Sequence, residues 1–128
     1  MAPIVEGLQA VTVHVTDLDR ARPFYSKVLG LEEDDPVPNL PRASFKIPGT
    51  STRLTMHVQR PGEGGREPGT VSGVLFYCKD PIAAAESVKA HGGTVVDEPW
   101  SMQRGPATVV RTVVADPDGN QFILSSGL

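Results

Sequence analysis

The two halves of the sequence repeat each other, and this repeat constrains the fold more than any other feature. A shift of 63 residues aligns the helix signals of the two halves, placing Asp17 on Asp80, Ala21 on Ala84 and Gly30 on Gly93. The same shift aligns two strand positions, placing His14 on Tyr77 and Ala10 on Gly73. Self-similarity at a fixed separation indicates a duplicated supersecondary unit. We therefore predict two copies of one structural module.

Each half begins with a strand pattern followed by a helix pattern. Residues 11–16 alternate apolar with polar or titratable side chains, which is typical of a strand with two different faces. Asp17 then caps a helix predicted over residues 18–29. Pro23 lies beyond the first turn, where a backbone donor is needed, so we expect a kink or a distorted start. The second half repeats this order, with a strand at residues 73–79, a helix start at residues 80–81 and a helix stop at residues 92–93.

Short segments rich in β-branched residues, broken by Gly and Pro, follow each helix. They cover residues 32–33, 43–47 and 53–59 in the first half and residues 94–97, 107–115 and 120–125 in the second. The sequence Asp-Pro-Asp-Gly at residues 116–119 predicts a tight turn, and the apolar-poor residues 62–69 predict a linker. The chain is therefore predicted to be a single domain over residues 1–128, with one β-α-β-β-β module at residues 1–64 and another at residues 65–128.

A module of this size has a helix on only one face of its sheet, and its core is too small to be stable alone. The two modules must therefore cover each other. Strongly twisted sheets placed side by side would curl around a cavity suited to a small ligand. We predict an α+β fold of two tandem βαβββ modules, whose strongly curved mixed sheets enclose a shared cavity.

Composition excludes several classes of partner and compartment. The net charge is −3, and no stretch collects Lys and Arg on one face as a nucleic-acid backbone requires. No run approaches the roughly 18 apolar residues of a membrane helix, so neither nucleic acid nor a membrane is an expected partner. Cys78 is the single cysteine, which rules out an intrachain disulfide and fits a reducing compartment. We expect a soluble, cytoplasmic protein.

Two motifs identify a family resemblance that covers nearly the whole chain. Residues 15–31 (VTDLDRARPFYSKVLGL) and residues 116–120 (DPDGN) resemble the glyoxalase, bleomycin-resistance and extradiol-dioxygenase superfamily, also called vicinal oxygen chelate proteins. The resemblance implies the paired-module fold. It does not fix the function, because this fold hosts metal enzymes and metal-free binding proteins alike.

The resemblance also implies where a metal would be held. The metal enzymes take four His, Glu or Gln ligands from the inward faces of the first and last strands of each module. The matching positions in this sequence are Ala10, about Thr55, Gly73 and Ile123. Three of these side chains offer no lone pair and threonine offers only a weak neutral one, whereas a divalent ion needs imidazole or carboxylate ligands. We therefore expect no metal and no other cofactor.

A displaced metal site is an alternative. His14 and His57 lie four and two residues from Ala10 and Thr55, so the strand period places both on the inward face. If the first and last strands are parallel neighbours, as the resemblance implies, the two imidazoles would be diagonal neighbours within reach of one divalent ion. No carboxylate is visible to complete such a site.

The predicted inner faces carry polar side chains that point to ligand contact. The candidate ligand-binding residues are Thr12, His14, Thr55, His57, Tyr77, Trp100 and Gln121. A purely structural face would be mostly apolar, because each buried polar group without a partner costs about 1–3 kcal/mol. For each histidine a hydrogen-bonded core role stays open, and Trp100, in the segment 98–105 before a strand, is either a lid over an aromatic ligand or rim packing. Arg111 would bind an anionic group if it points inward and would form a surface salt bridge if it points outward.

Two functions remain in view. The first is a metal-free small-molecule binding protein of the bleomycin-resistance type, which sequesters an antibiotic or an aromatic metabolite. The second is a lyase, isomerase or dioxygenase that uses His14 and His57 as displaced metal ligands or as a general base. The sequence assigns no catalytic residue and leaves open whether the protein is an enzyme. A homodimer is expected, since small members of this family often pair modules across two chains, and the cavity then forms within one chain or between two.

Overall fold

The computed structural model describes residues 3–36, 39–58 and 68–128. The first module contains β1 (Ala10–Val15), α1 (Leu18–Pro23), a π-helical turn (Phe24–Val28), β2 (Glu32–Glu33), β3 (Arg42–Lys46) and β4 (Arg53–Val58). Its sheet has the order β1-β4-β3-β2, in which β1 and β4 are parallel and the other pairs are antiparallel.

The second module repeats this topology. It contains β5 (Val71–Tyr77), α2 (Pro81–Ala90), β6 (Thr94–Arg104), β7 (Ala107–Ala115) and β8 (Gln121–Ser125), with the sheet order β5-β8-β7-β6. Again the first and last strands, β5 and β8, are parallel neighbours. The predicted α+β fold of two βαβββ modules is thus confirmed. Most of the predicted linker, at residues 62–67, lies outside the described residues, as does Gln59 at the end of the predicted fourth strand.

Both helices begin at the predicted caps, but the first changes type after Pro23. The Asp17 carboxylate accepts a hydrogen bond from the backbone N–H of Asp19 at 2.9 Å, and the Asp80 carboxylate accepts one from Ala83 at 3.1 Å. After Pro23 the chain forms a π-helical turn, closed by the Leu29 N–H donating to the Phe24 carbonyl at 3.0 Å. Pro23 supplies no N–H to the ladder, and the expected distortion therefore takes the form of a wider turn.

The helix-covered faces of the two sheets share one core. In β1 and β4 the alternate residues Val13, Val15, Leu54 and Met56 are buried against the first helix. Tyr25 connects this layer to the second module, with its ring centroid 5.8 Å from that of Phe45 and 6.0 Å from that of Phe122. Since neither module alone has enough apolar surface, this shared layer explains why the sequence carries two.

The predicted turn at residues 116–119 joins the modules through polar contacts. The Thr16 hydroxyl donates to the Asp118 carboxylate at 2.7 Å, and the Arg20 guanidinium donates to the Pro117 carbonyl at 2.8 Å. The Tyr25 hydroxyl donates to buried Asp116 at 2.5 Å. The turn of the second module is therefore part of the interface with the first.

The segment 98–105, expected to lie before a strand, belongs to a strand. It continues β6 to Arg104, with register shifts between Val95 and Asp97 and between Asp97 and Trp100. Pro99 lies in this strand without breaking it, because β6 is the edge strand of its sheet. On the side away from β7, no neighbouring strand of the sheet needs a backbone N–H donor. Within the described part of the chain, no helix has the length and apolar character needed to cross a membrane.

Candidate functional site

Four of the sequence-predicted site residues lie together on the open face of the first sheet, the face opposite α1. The strand period sends Val13, Leu54 and Met56 into the core and leaves the alternate side chains on the other side. Those alternate side chains are the predicted residues Thr12, His14, Thr55 and His57.

The register between β1 and β4 differs from the expected one. Thr12 lies directly opposite Thr55, with their hydroxyl oxygens 2.6 Å apart, and His14 lies directly opposite His57. The two imidazole centroids are 5.8 Å apart with the rings edge to face. The prediction of diagonal neighbours was therefore wrong. Ala10 lies opposite Arg53 instead of Thr55, so His14 and His57 are each four residues along from the same pair and face each other directly.

A third strand extends this face with residues that the sequence reasoning missed. Arg42 lies opposite His57 and Ser44 lies opposite Thr55. Strand alternation carried a signal for both, because Ala43 and Phe45 are buried and the residues on either side of Ala43 therefore point the other way. We call Arg42, His57 and His14, which are consecutive across three strands, the first polar row.

The second sheet has a matching row on its open face. Trp100, Arg111, Ser125 and Tyr77 are consecutive partners across its four strands, and we call them the second polar row. The Arg111 Nε donates to the Ser125 hydroxyl at 3.1 Å, and that hydroxyl donates to the Gly127 carbonyl. Arg111 therefore lies on the open face, which is the inward alternative of the sequence analysis. Tyr77 and Trp100 are 77% and 37% exposed in the single chain.

Gln121 is on the same face but not in the row. It lies opposite Val71, at the far end of β8 from Tyr77. Ser125 is four residue steps along β8 from Gln121, a distance of about 13 Å at the usual strand rise. The structure therefore brings Thr12, His14, Thr55 and His57 together, places Tyr77 and Trp100 in a second group, and leaves Gln121 apart from both.

The positions that hold metal in related enzymes do not fit a divalent ion here. The Thr55 hydroxyl is engaged with Thr12, and Gly73 lies in an irregular part of β5, whose pairing with β8 shifts between Val71 and Leu75. Neither Ala10 nor Ile123 has a donor atom. Among residues 3–36, 39–58 and 68–128, no group of three or more His, Cys, Asp or Glu side chains is placed to bind a metal. The paired histidines supply two donors, where a protein site for zinc uses at least three.

Two hollows border the described residues away from the first polar row, and one of them reaches Tyr77 of the second. One of about 290 Å³ is bordered by Leu29 and Ile47 of the first module and by Phe76, Tyr77 and Cys78 of the second. Burial raises the pKa of the Cys78 thiol, which packs against the core and stays protonated at neutral pH. The other, of about 970 Å³, is an open groove between residues 6–10 and Arg53.

Comparison with known proteins agrees with this fold along almost the whole chain. A family model described as the Glyoxalase/Bleomycin resistance protein/Dioxygenase superfamily matches residues 7–124. The uncharacterized protein YetH of Bacillus subtilis is 26% identical over 124 residues, which are 94% of this chain and 98% of YetH.

Solved structures are similar over the same length. A member of the same superfamily from Sphaerobacter thermophilus is 28% identical with a TM-score of 0.75, and the match covers 96% of this chain and 98% of that one. TnmS3, an antibiotic binding protein from a Streptomyces species, is 24% identical with a TM-score of 0.73, covering 96% of this chain and 97% of TnmS3. These matches confirm the resemblance drawn from the two sequence motifs.

Proposed function

This chain belongs to the Glyoxalase/Bleomycin resistance protein/Dioxygenase superfamily, and we propose that within it the chain is a metal-free small-molecule binding protein. It would sequester an antibiotic or an aromatic metabolite against the open faces of its sheets. The observation that carries the proposal is the pair of polar rows, which offer hydrogen-bonding and aromatic groups where the metal-binding positions have no suitable donors. The similarity to an antibiotic binding protein also supports a small-molecule binding function.

The proposal gives each predicted site residue a role. His14, His57, Thr12 and Thr55 exchange hydrogen bonds with the polar groups of the ligand, since each offers donor and acceptor capacity. Tyr77 and Trp100 provide flat surfaces for an aromatic body. Gln121 contacts only a ligand long enough to reach the other end of β8.

The binding unit in this proposal is a homodimer. In the single chain the apolar side chains of Val71 and Tyr77 in β5 are 74% and 77% exposed. β1 and β5 are edge strands, whose unpaired backbone groups favour pairing with another strand. Pairing β1 of one copy with β5 of another would set the first polar row of one chain beside the second polar row of its partner, enclosing the cavity. Sedimentation at micromolar concentration should give the mass of two chains, and a monomer would contradict this part of the proposal.

The binding function is tested with variants of the two rows. Titration with bleomycin and a panel of aromatic compounds, followed by the fluorescence of Trp100, the single tryptophan, should give saturable binding of at least one compound. His57→Ala and Tyr77→Phe should each weaken that binding while hardly moving the melting temperature, because neither residue is part of the core. A large loss of stability with unchanged binding would show that these residues are structural.

Direct pairing of His14 with His57 favours one second candidate, an enzyme of the lyase, isomerase or dioxygenase type. An imidazole on an open face can take a proton from a bound substrate near neutral pH. Metal analysis of the purified protein separates the candidates: we expect no stoichiometric metal. Stoichiometric Ni, Fe, Mn or Zn that disappears in His14→Ala would favour the enzyme.

We propose the cytoplasm as the compartment, where the lone Cys78 would stay reduced.

A further inference from the structure

We infer that the ligand of the proposed site is an organic anion with an aromatic body, whose negative group is bound by Arg42 and Arg111. This inference rests on the proposed binding function and names the chemical class of the ligand. It is drawn from the position, the charge environment and the neighbours of the two arginines.

The two arginines occupy equivalent positions of the repeat. Arg42 in β3 lies opposite His57 in β4, which lies opposite His14 in β1. Arg111 in β7 lies in the same way two strands from Tyr77, the residue that the repeat aligns with His14. Both modules therefore carry a guanidinium at the same place on the open face, although the residues beside it differ.

Arg42 borders a hollow that is also lined by Glu33, Asp34 and Asp35, yet neither Arg42 nor Arg111 forms an ion pair with the described residues. By contrast, the other cations of the first open face are paired: Lys46 lies 3.4 Å from the Glu32 carboxylate and Arg53 lies 2.8 Å from that of Asp34.

The cations at the two ends of the first open face therefore differ in their ion pairing. At one end Lys46 and Arg53 are paired with carboxylates, whereas at the other end no carboxylate of the described residues lies within ion-pair distance of Arg42. An unpaired guanidinium presents a planar fork of donors that matches a carboxylate, phosphate or sulfonate group.

The neighbour of Arg111 indicates the chemistry of the uncharged part of the ligand. Trp100 is its direct partner on β6, so an indole surface lies beside the cation. In the proposed dimer, Arg42 of one copy and Arg111 of the other face the same cavity. An aromatic ligand with one acidic group would stack on Trp100 while its anion reaches the guanidinium groups.

The test compares 1-naphthoate with 1-naphthamide, which share a ring system and differ in charge. Isothermal titration calorimetry on the purified protein should show naphthoate binding about tenfold more tightly or better, the usual advantage of a charge-assisted contact. Arg42→Gln and Arg111→Gln should each remove most of this preference, and rising salt should reduce it. Naphthamide binding should persist in both variants, which shows that they are folded. Lys27→Gln, which removes an exposed charge away from the rows, is the matched control and should change nothing.

The outcomes distinguish a failure of the anion inference from a failure of the proposed binding function. Equal affinity for the two probes, or a naphthoate preference that survives both arginine substitutions, would overturn the anion inference and leave the binding function standing. If neither probe binds the wild-type protein, the anion inference fails, whereas the binding function fails only if bleomycin and the aromatic panel also give no binding.

Discussion

Tyr25 and Tyr77, the two tyrosines of the chain, lie in opposite environments. Tyr25 is fully buried in the shared core, where its hydroxyl donates to Asp116 at 2.5 Å. Tyr77 is 77% exposed at the end of the second polar row. At the scale of single residues, the side chains that stabilise the fold and those proposed to bind a ligand are therefore different sets.

Removing the Tyr25 hydroxyl should destabilise the protein. Tyr25→Phe keeps the ring packing but takes one donor from the buried Asp116 carboxylate, so we expect the free energy of unfolding to fall by about 1–2 kcal/mol. Urea unfolding measures the change, and Tyr77→Phe serves as the matched control with no loss. Equal effects of the two substitutions would contradict the assignment of Tyr25 to the core.

The same buried tyrosine predicts how stability depends on alkaline pH. Burial, together with the nearby Asp116 carboxylate, raises the pKa of Tyr25 far above its usual value. A group whose pKa is raised by folding contributes its full stabilisation below its unfolded pKa, so stability should fall above about pH 10, by up to about 1.4 kcal/mol per pH unit. In Tyr77→Phe, where Tyr25 is the single tyrosine, tyrosinate absorbance should appear only as the protein unfolds. Ionisation of the folded protein near pH 10 would refute the burial.

The sequence predicted correctly on which face of its strand a residue lies, but it did not predict which residue lies opposite on the neighbouring strand. The strand period alone placed His14 and His57 on one face, because alternation is a local property. Their direct opposition depends on the register between β1 and β4, which are distant in sequence. Arg42 was overlooked because it precedes the strand predicted at residues 43–47, although the strand period places it on the same face as Ser44.

At the scale of elements, the end of α2 is fitted tightly against the first module. A methyl group added at Gly93 would lie 2.9 Å from Phe24 of the π-helical turn, from Val88 of α2 and from the Ala115 carbonyl. Real side chains essentially never approach that closely. The second glycine of the predicted helix stop thus allows the close approach of three elements.

Gly93→Ala should therefore cost stability through overpacking. The backbone carbonyl of Ala115 cannot move aside easily, so we expect a loss of about 1–3 kcal/mol in the free energy of unfolding. Thermal or urea unfolding measures it. Gly7→Ala is the control, since a methyl group there meets no atom within 4 Å. A neutral Gly93→Ala would show that the helix and the π-helical turn are less tightly packed.

The prolines show how far the sequence predicts the elements. Pro23 correctly predicted a distortion, because its missing donor acts within its own helix. The strand predicted at residues 94–97 continues through Pro99 to Arg104, since a proline inside a strand is tolerated at a sheet edge and the edge position of β6 follows from topology. Local signals predicted where elements start, and non-local pairing decided how far they extend.

At the scale of the whole molecule, Asn120 ties the two modules together. Its amide nitrogen donates to the His14 carbonyl at 2.8 Å and to Asp116 at 2.9 Å. Its amide oxygen accepts from the N–H groups of Gly69 and Thr70 at 3.1 and 3.0 Å. One buried side chain therefore satisfies groups of both modules, next to the predicted turn.

Asn120→Ala should weaken both modules at once. Several buried polar groups lose their partner, so we expect a loss of about 3 kcal/mol, against less than about 0.5 kcal/mol for its neighbour in Gln121→Ala. Hydrogen exchange should show the amides of β4 and β7 losing protection together, in a single cooperative unfolding step. Exchange that stays slow in one module while rising in the other would show that the modules are independent.

The division of each sheet into a core side and an open side has an evolutionary consequence. Mutations at Thr12, His57 or Arg111 leave the shared core intact, so a lineage can sample new ligand preferences with little risk to folding. The core of the duplicated fold can then stay unchanged while selection substitutes the alternate residues on the open faces one at a time.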